Sequence, residues 1–144
     1  MRHSQWQSLL KRGNYCFDHQ QLDEAETFYL QAYDLLSEAR GDDPHSSELL
    51  MAWICTCHNL TSLYEVLGYL DLSLEYLMIP HEYLMKISEA NYLNDDMKLT
   101  AFKGINITLP AIILFTNNHA DCDGCRLQLP SLQKVMGQET SSIH

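Results

Sequence analysis

The chain has 144 residues, 46% of them hydrophobic, which suits one compact domain with a real core. Nineteen acidic against nine basic residues give a net charge of −10, and no basic cluster exceeds Lys11-Arg12, which excludes the basic face of a nucleic-acid binder. The longest apolar run, Leu109 to Phe115, is far short of a membrane span and is broken by Pro110, so no membrane contact is expected. The N-terminal Met-Arg-His-Ser-Gln-Trp carries no apolar signal region, so the expected location is the cytoplasm, with the five cysteines as free thiols.

Strand signals are nearly absent, and apolar residues recur at spacings of three and four, so the expected fold is all-α. A first helix is predicted from Ser4, with Gln7 completing a capping box, to His19-Gln20. A second runs from Leu22 to Arg40, with Asp23 and Glu24 at its positive end and Gly41 as its stop. Asp43 as cap and Pro44 as first residue open a third helix, which reaches Leu67 and is broken by Gly68. Asp71 caps a fourth from Leu72 to Tyr92, and Pro80 inside it predicts a kink or a split. Asn94-Asp95-Asp96 caps a fifth through Phe115 or Thr116, which contains Pro110. Asp121 to Gly124 reads as a turn, Leu127 to Met136 as one short helix, and the last residues as a frayed polar end.

The segment Gly13 to Ala32 holds small residues at fixed offsets (Gly13, Ala25, Ala32) with Tyr15, Leu22 and Tyr29 between them. A weaker copy follows 48 residues on: Leu22 aligns with Leu70, Ala25 with Ser73, Cys16 with Tyr64, and Gln20-Gln21 with Gly68-Tyr69. A second shift of 48 lays Phe102 over Trp6 and Ile112 over Cys16. Two hairpins and the start of a third unit are therefore expected.

Gly13, Tyr15, Leu22, Ala25, Tyr29 and Ala32 resemble the tetratricopeptide-repeat pattern, as do Asn59-Leu60, Leu63-Tyr64 and Gly68-Tyr69. The resemblance covers roughly residues 5 to 115, and is closest in the first unit. The family period is about 34 residues, so this chain resembles a long-helix variant, with Pro80 where the second unit should have its late alanine. The resemblance implies antiparallel helical hairpins stacked as a short right-handed solenoid over residues 1–118, with five long helices. A tail over 119–144 would pack on the last repeat helix. It also implies a non-catalytic module that binds a peptide or protein on its concave face.

In that family the first helix of each pair lines the concave face. Here this implies a groove of Asn14, His58, Asn59, Ser62, Lys103 and Asn106, with Gln7, Leu10, Phe17, Cys55, Glu65 and Pro110 on the same stripes. One asparagine from each inner helix would hold a peptide backbone, because an amide both donates and accepts. Leu10 sits where a carboxylate-clamping lysine would be needed, so that ligand is not expected.

Two other functions compete. His119, Cys122 and Cys125 form His-x2-Cys-x2-Cys, three soft ligands for a metal or a redox pair, though a structural zinc wants four. The alternative is a structural assembly subunit. The fifth helix carries an unfinished apolar face (Ile105, Ile112, Ile113, Phe115), to be covered by Leu127, Leu129, Leu132 and Val135 of the tail or by a second copy in a homo-oligomer. No phosphate loop, nucleophile elbow or glycine-rich fingerprint is present, so no enzyme activity and no cofactor are expected.

Overall fold

The computed structural model describes residues 2–90, 94–120 and 124. Five helices follow one another: α1 (Arg2–Asp18), α2 (Leu22–Asp42), α3 (Ser47–Leu67), α4 (Leu70–Ser88) and α5 (Asp95–Asn118). The described residues contain no strand, so the fold is all-α. Each helix packs on the next, and α3 also touches α5. The connections between α1 and α2 and between α3 and α4 are too short for anything but antiparallel neighbours.

The two hairpins repeat in backbone detail. The Gln21 N–H donates to Cys16 O at 2.8 Å, and 48 residues on the Tyr69 N–H donates to Tyr64 O at 2.8 Å. The preceding residue takes positive φ in both, 60° at Gln20 and 81° at Gly68. These are the bonds that satisfy orphan carbonyls where a helix ends in a left-handed residue. Burial repeats with the same offset: Ala25 with Ser73, Tyr29 with Leu77, Ala32 with Pro80, Leu36 with Leu84. The third unit departs from it, because Thr116, next in the series, is still helical.

Small residues set the helix spacing. A methyl on Gly13 would lie 2.5 Å from Tyr29 Cε1, so α1 meets α2 closer than alanine allows. At the matching place in the second hairpin, Thr61 donates to Ser73 O at 3.2 Å and the Ser73 hydroxyl donates back to Thr61 O. On α5, Gly104 lies against Leu84, whose Cδ1 would be 2.8 Å from an added methyl. The core between the helices is led by Leu36, Leu49, Leu50, Ile54, Leu60, Leu63, Leu84 and Ile112, all essentially sealed from water. Each contributes about 1.5–3 kcal/mol by burial. An aromatic chain joins α2, α3 and α4: Tyr83 to Trp53 (5.6 Å), Trp53 to Tyr33 (6.4 Å), Tyr33 to Tyr76 (5.6 Å) and Tyr76 to Tyr64 (5.8 Å). Arg40, near the end of α2, stacks over Trp53 at 4.1 Å and over Tyr83 at 4.4 Å.

Several helix ends differ from those expected. α1 already includes Ser4, which therefore lies in the first turn and not at the cap. Gly41 lies inside α2, which ends at Asp42. Asp43 and Pro44 belong to the connection, and Ser46 caps α3 by accepting from the Leu49 N–H at 3.2 Å. The serine wins because its hydroxyl reaches the third helical N–H from the extended backbone at Ser46. Asp71 is within α4 and not its cap; it supplies first-turn negative charge. α4 ends at Ser88, earlier than Tyr92, which lies outside the described residues. Pro80 and Pro110 split neither helix, although Pro80 is buried in the core and Pro110 is exposed on the outer side of α5. Tyr15 is 60% exposed and stacks on His19 instead of filling the core. Phe102 is 57% exposed and does not repeat the buried Trp6. Gly124 is helical where a turn was expected, and the expected short helix over 127–136 lies outside the described residues.

Candidate functional site

Between α1 and α3 lies a hollow of about 330 Å³, lined by Asn14, Phe17, Asp18, Tyr29, Asn59 and Ser62. The Gly13 contact brings Tyr29 of α2 through to this face, where its hydroxyl donates to Asn14 Oδ1 at 2.7 Å. That bond assigns the Asn14 oxygen as acceptor and leaves the amide nitrogen as donor. Burial, aided by Asp18 and Cys16, pushes the Tyr29 phenol up to about 12, so it stays a donor at any physiological pH.

Ser62 also lines a second, smaller cavity of about 190 Å³ between α3 and α5. Its α3 wall is His58, Thr61, Ser62 and Glu65; Leu77 of α4 and Ala111, Leu114, Phe115 and Asn118 of α5 complete it. His119 borders this cavity, with Nε2 2.6 Å from Glu65 Oε2 and its ring packed on Phe115 at 4.6 Å. The His58 Nε2 is buried without a hydrogen-bond partner, and desolvation lowers the pKa of the ring. The imidazole is accordingly neutral at pH 7.

Four of the six expected groove residues come together here: Asn14, Asn59 and Ser62 in the first hollow, His58 and Ser62 in the second. Lys103 and Asn106 do not. Lys103 is exposed and lines neither hollow, while Asn106 faces the other side of α5 with Ile105, Leu109, Pro110 and Ile113. The side of α5 that meets α3 is carried by Ala111, Leu114 and Asn118. At about 100° per residue, Asn106 is one step of rotation away from that stripe. Three asparagines in a row are therefore not formed. Leu114, Phe115 and Asn118 were not legible as site residues, because the α5 register cannot be carried over from α1 and α3; Tyr29 of α2 and Leu77 of α4 were missed because they reach the face from the second helix of each pair.

The alternative metal centre receives no support from the described part. The nitrogen of His119 is held by Glu65, Cys122 and Cys125 lie outside the described residues, and no group of three or more His, Cys, Asp or Glu residues among those described could hold a metal. Cys55 is exposed while Cys16 and Cys57 are buried. Burial pushes the Cys57 thiol up to about 12, which makes it unreactive.

Two further hollows mark the ends of the row of helices. The wide one between α1 and α2, about 710 Å³, is lined by Gln5, Ser8, Arg12, Gln31 and Asp34 together with Leu9 and Leu35. The one on the outer side of α5, about 360 Å³, is mainly apolar. Over a whole helical window, α5 is long and apolar enough to cross a membrane by length and composition, with a mean hydropathy of 1.5. In this fold it packs on α4, where Thr108 and His81 Nδ1 share a 2.9 Å hydrogen bond.

The chain belongs to the family described as "Protein of unknown function (DUF2753)", whose model matches residues 4–144. No curated protein and no solved structure matches it.

Proposed function

We propose that the protein is a non-catalytic interaction module built on long tetratricopeptide-like hairpins, which holds an extended segment of a partner protein along its α1, α3 and α5 face. The observation that carries this reading is the hollow where Asn14, Asn59 and Ser62 converge and which shares Ser62 with the cavity beyond. Amide and hydroxyl groups along a groove can bind a peptide backbone whatever its side chains. The repeated turns and the repeated burial support the stacked-hairpin arrangement, which in such folds produces elongated binding surfaces. A cytoplasmic location is part of the proposal.

The test is selection of peptides from a displayed random library against the intact protein, followed by anisotropy titration. Replacing both Asn14 and Asn59 by alanine is expected to weaken the selected peptides about tenfold or more, since each lost hydrogen bond costs about 0.5–1.5 kcal/mol. Lys103→Ala and Asn106→Ala should leave binding unchanged. Peptides that bind the double variant as well as the parent would sink the reading.

A further inference from the structure

The hollow between α1 and α3 is lined by Asn14, Phe17, Asp18, Tyr29, Asn59 and Ser62, and Asp18 is the charged residue among the six. We propose that this hollow takes an arginine side chain of the bound segment, with the guanidinium on the Asp18 carboxylate and against the Phe17 ring. The assignment rests on the peptide-binding reading above, since the same hollow carries that reading.

Two sources of negative potential meet at this place. Asp18 is the last residue of α1, so its carboxylate stands at the negative end of the helix, and the last turn holds no basic residue to offset it. The charge is felt inside the hollow. Burial first and Asp18 second push the Tyr29 phenol up, and that phenol donates to Asn14 Oδ1 at 2.7 Å within the same lining. Among the described residues, no lysine, arginine or histidine lines the hollow. The Tyr29 oxygen, the Asn59 amide oxygen and the Ser62 hydroxyl add neutral acceptors.

Size and chemistry then narrow the occupant. A benzene ring fits a cavity of about 150 Å³, so about 330 Å³ leaves room for a guanidinium and its methylene stem. An apolar side chain would cover two asparagines, a serine and a carboxylate and bond none of them. A neutral amide would bond the asparagines and leave Asp18 without a counter-charge. A carboxylate would meet Asp18 on a chain of net charge −10. A cation relieves the negative end of α1, and a planar guanidinium also forks onto a carboxylate and stacks on an aromatic face, which an ammonium does less well.

The experiment offers N-acetyl-argininamide, N-acetyl-citrullinamide and N-acetyl-lysinamide to the intact protein and follows the side-chain amides of Asn14 and Asn59 by NMR. Citrulline keeps the shape of arginine without its charge, and lysine keeps the charge without the fork. The arginine probe is expected to shift both amides and to bind about fivefold more tightly than either of the others. Added salt should narrow the gap to citrulline. Asp18→Asn, checked for intact helical melting, should bring the ratio of arginine to citrulline close to one. Unmoved amides, equal binding of arginine with citrulline or with lysine, or a ratio that survives Asp18→Asn overturns the proposal. Library peptides separate the two levels. If they depend on Asn14 and Asn59 but ignore both Asp18→Asn and the exchange of arginine for citrulline, the arginine assignment fails alone. If they ignore Asn14 and Asn59 as well, the groove itself fails.

Discussion

At Gln20 and at Gly68 the backbone passes through the left-handed region, at φ 60° and 81°, to leave one helix for the next. Glycine adopts this conformation freely, whereas a side chain there costs about 1 kcal/mol. Gln20→Gly is therefore expected to stabilise the fold by about 0.5–1 kcal/mol, and Gly68→Ala to destabilise it by about 1 kcal/mol or more. Urea unfolding of the two variants checks both signs; a Gln20→Gly protein with a lower midpoint would contradict the account. The matched turns were legible in the sequence, because Gln20-Gln21 and Gly68-Tyr69 fall 48 residues apart, with a small residue, Ala25 or Ser73, at the same distance after each. The strain at Gln20 was not. Nothing in a glutamine marks positive φ, and the hydrogen bonds from the Gln20 N–H to Phe17 O and from the Gln21 N–H to Cys16 O hold it there.

Helices were legible as elements because their apolar spacing survives any local change, but their ends and rotations were not. Asp43-Pro44 and Ser46-Ser47 compete for the start of α3, and the choice depends on how far the connection must reach. The rotation of α5 depends on Gly104 seating against Leu84, a tertiary fit that no single-helix pattern contains. That is why Asn106 was expected on the groove and is found behind it. Between helices the structure places phenols: Tyr29 joins α2 to Asn14 of α1, and Tyr64 of α3 donates to Glu26 of α2 at 2.7 Å. Burial raises the pKa of Tyr29 and Tyr64, and of Tyr33 and Tyr76 as well. A pKa raised by folding stabilises fully below its unfolded value and loses that contribution as pH climbs through the folded one. The loss begins above the ordinary 9.0 of the Cys57 thiol and 10.0 of the Tyr29 phenol, and runs to about 12 for each. His58 and His81 shift the opposite way through burial, so their contribution is complete above the ordinary 6.5 and fades as pH falls below it. Thermal melting by circular dichroism across pH 5 to 11 should therefore show a plateau from roughly 6.5 to 9 and a decline on each side. A melting temperature that holds level from pH 9 to 11 would refute the alkaline arm.

Taken whole, the molecule has two unlike ends. The α1–α2 end sets Gln5, Ser8, Arg12, Gln31 and Asp34 around Leu9 and Leu35, whereas the outer side of α5 presents Leu109 and Ile113, with Leu114 62% exposed at the edge it shares with the α3 side. Removing residues 121–144, with their Leu127, Leu129, Leu132 and Val135, is expected to drive the chain into dimers or larger species by sedimentation. A truncated chain that stays monomeric and melts unchanged would show that this face needs no cover. The equivalence of the two turns has a different consequence. Residues 22–69 begin just after one left-handed joint and end just after the next, and α5 meets Leu84 where α3 approaches Leu36. A second copy of that stretch spliced in after Tyr69 would find familiar neighbours on both sides. The joint is thus a portable element: the same five-residue-spaced hydrogen bond at residues 16–21 and 64–69 would close the added hairpin as it closes the two present.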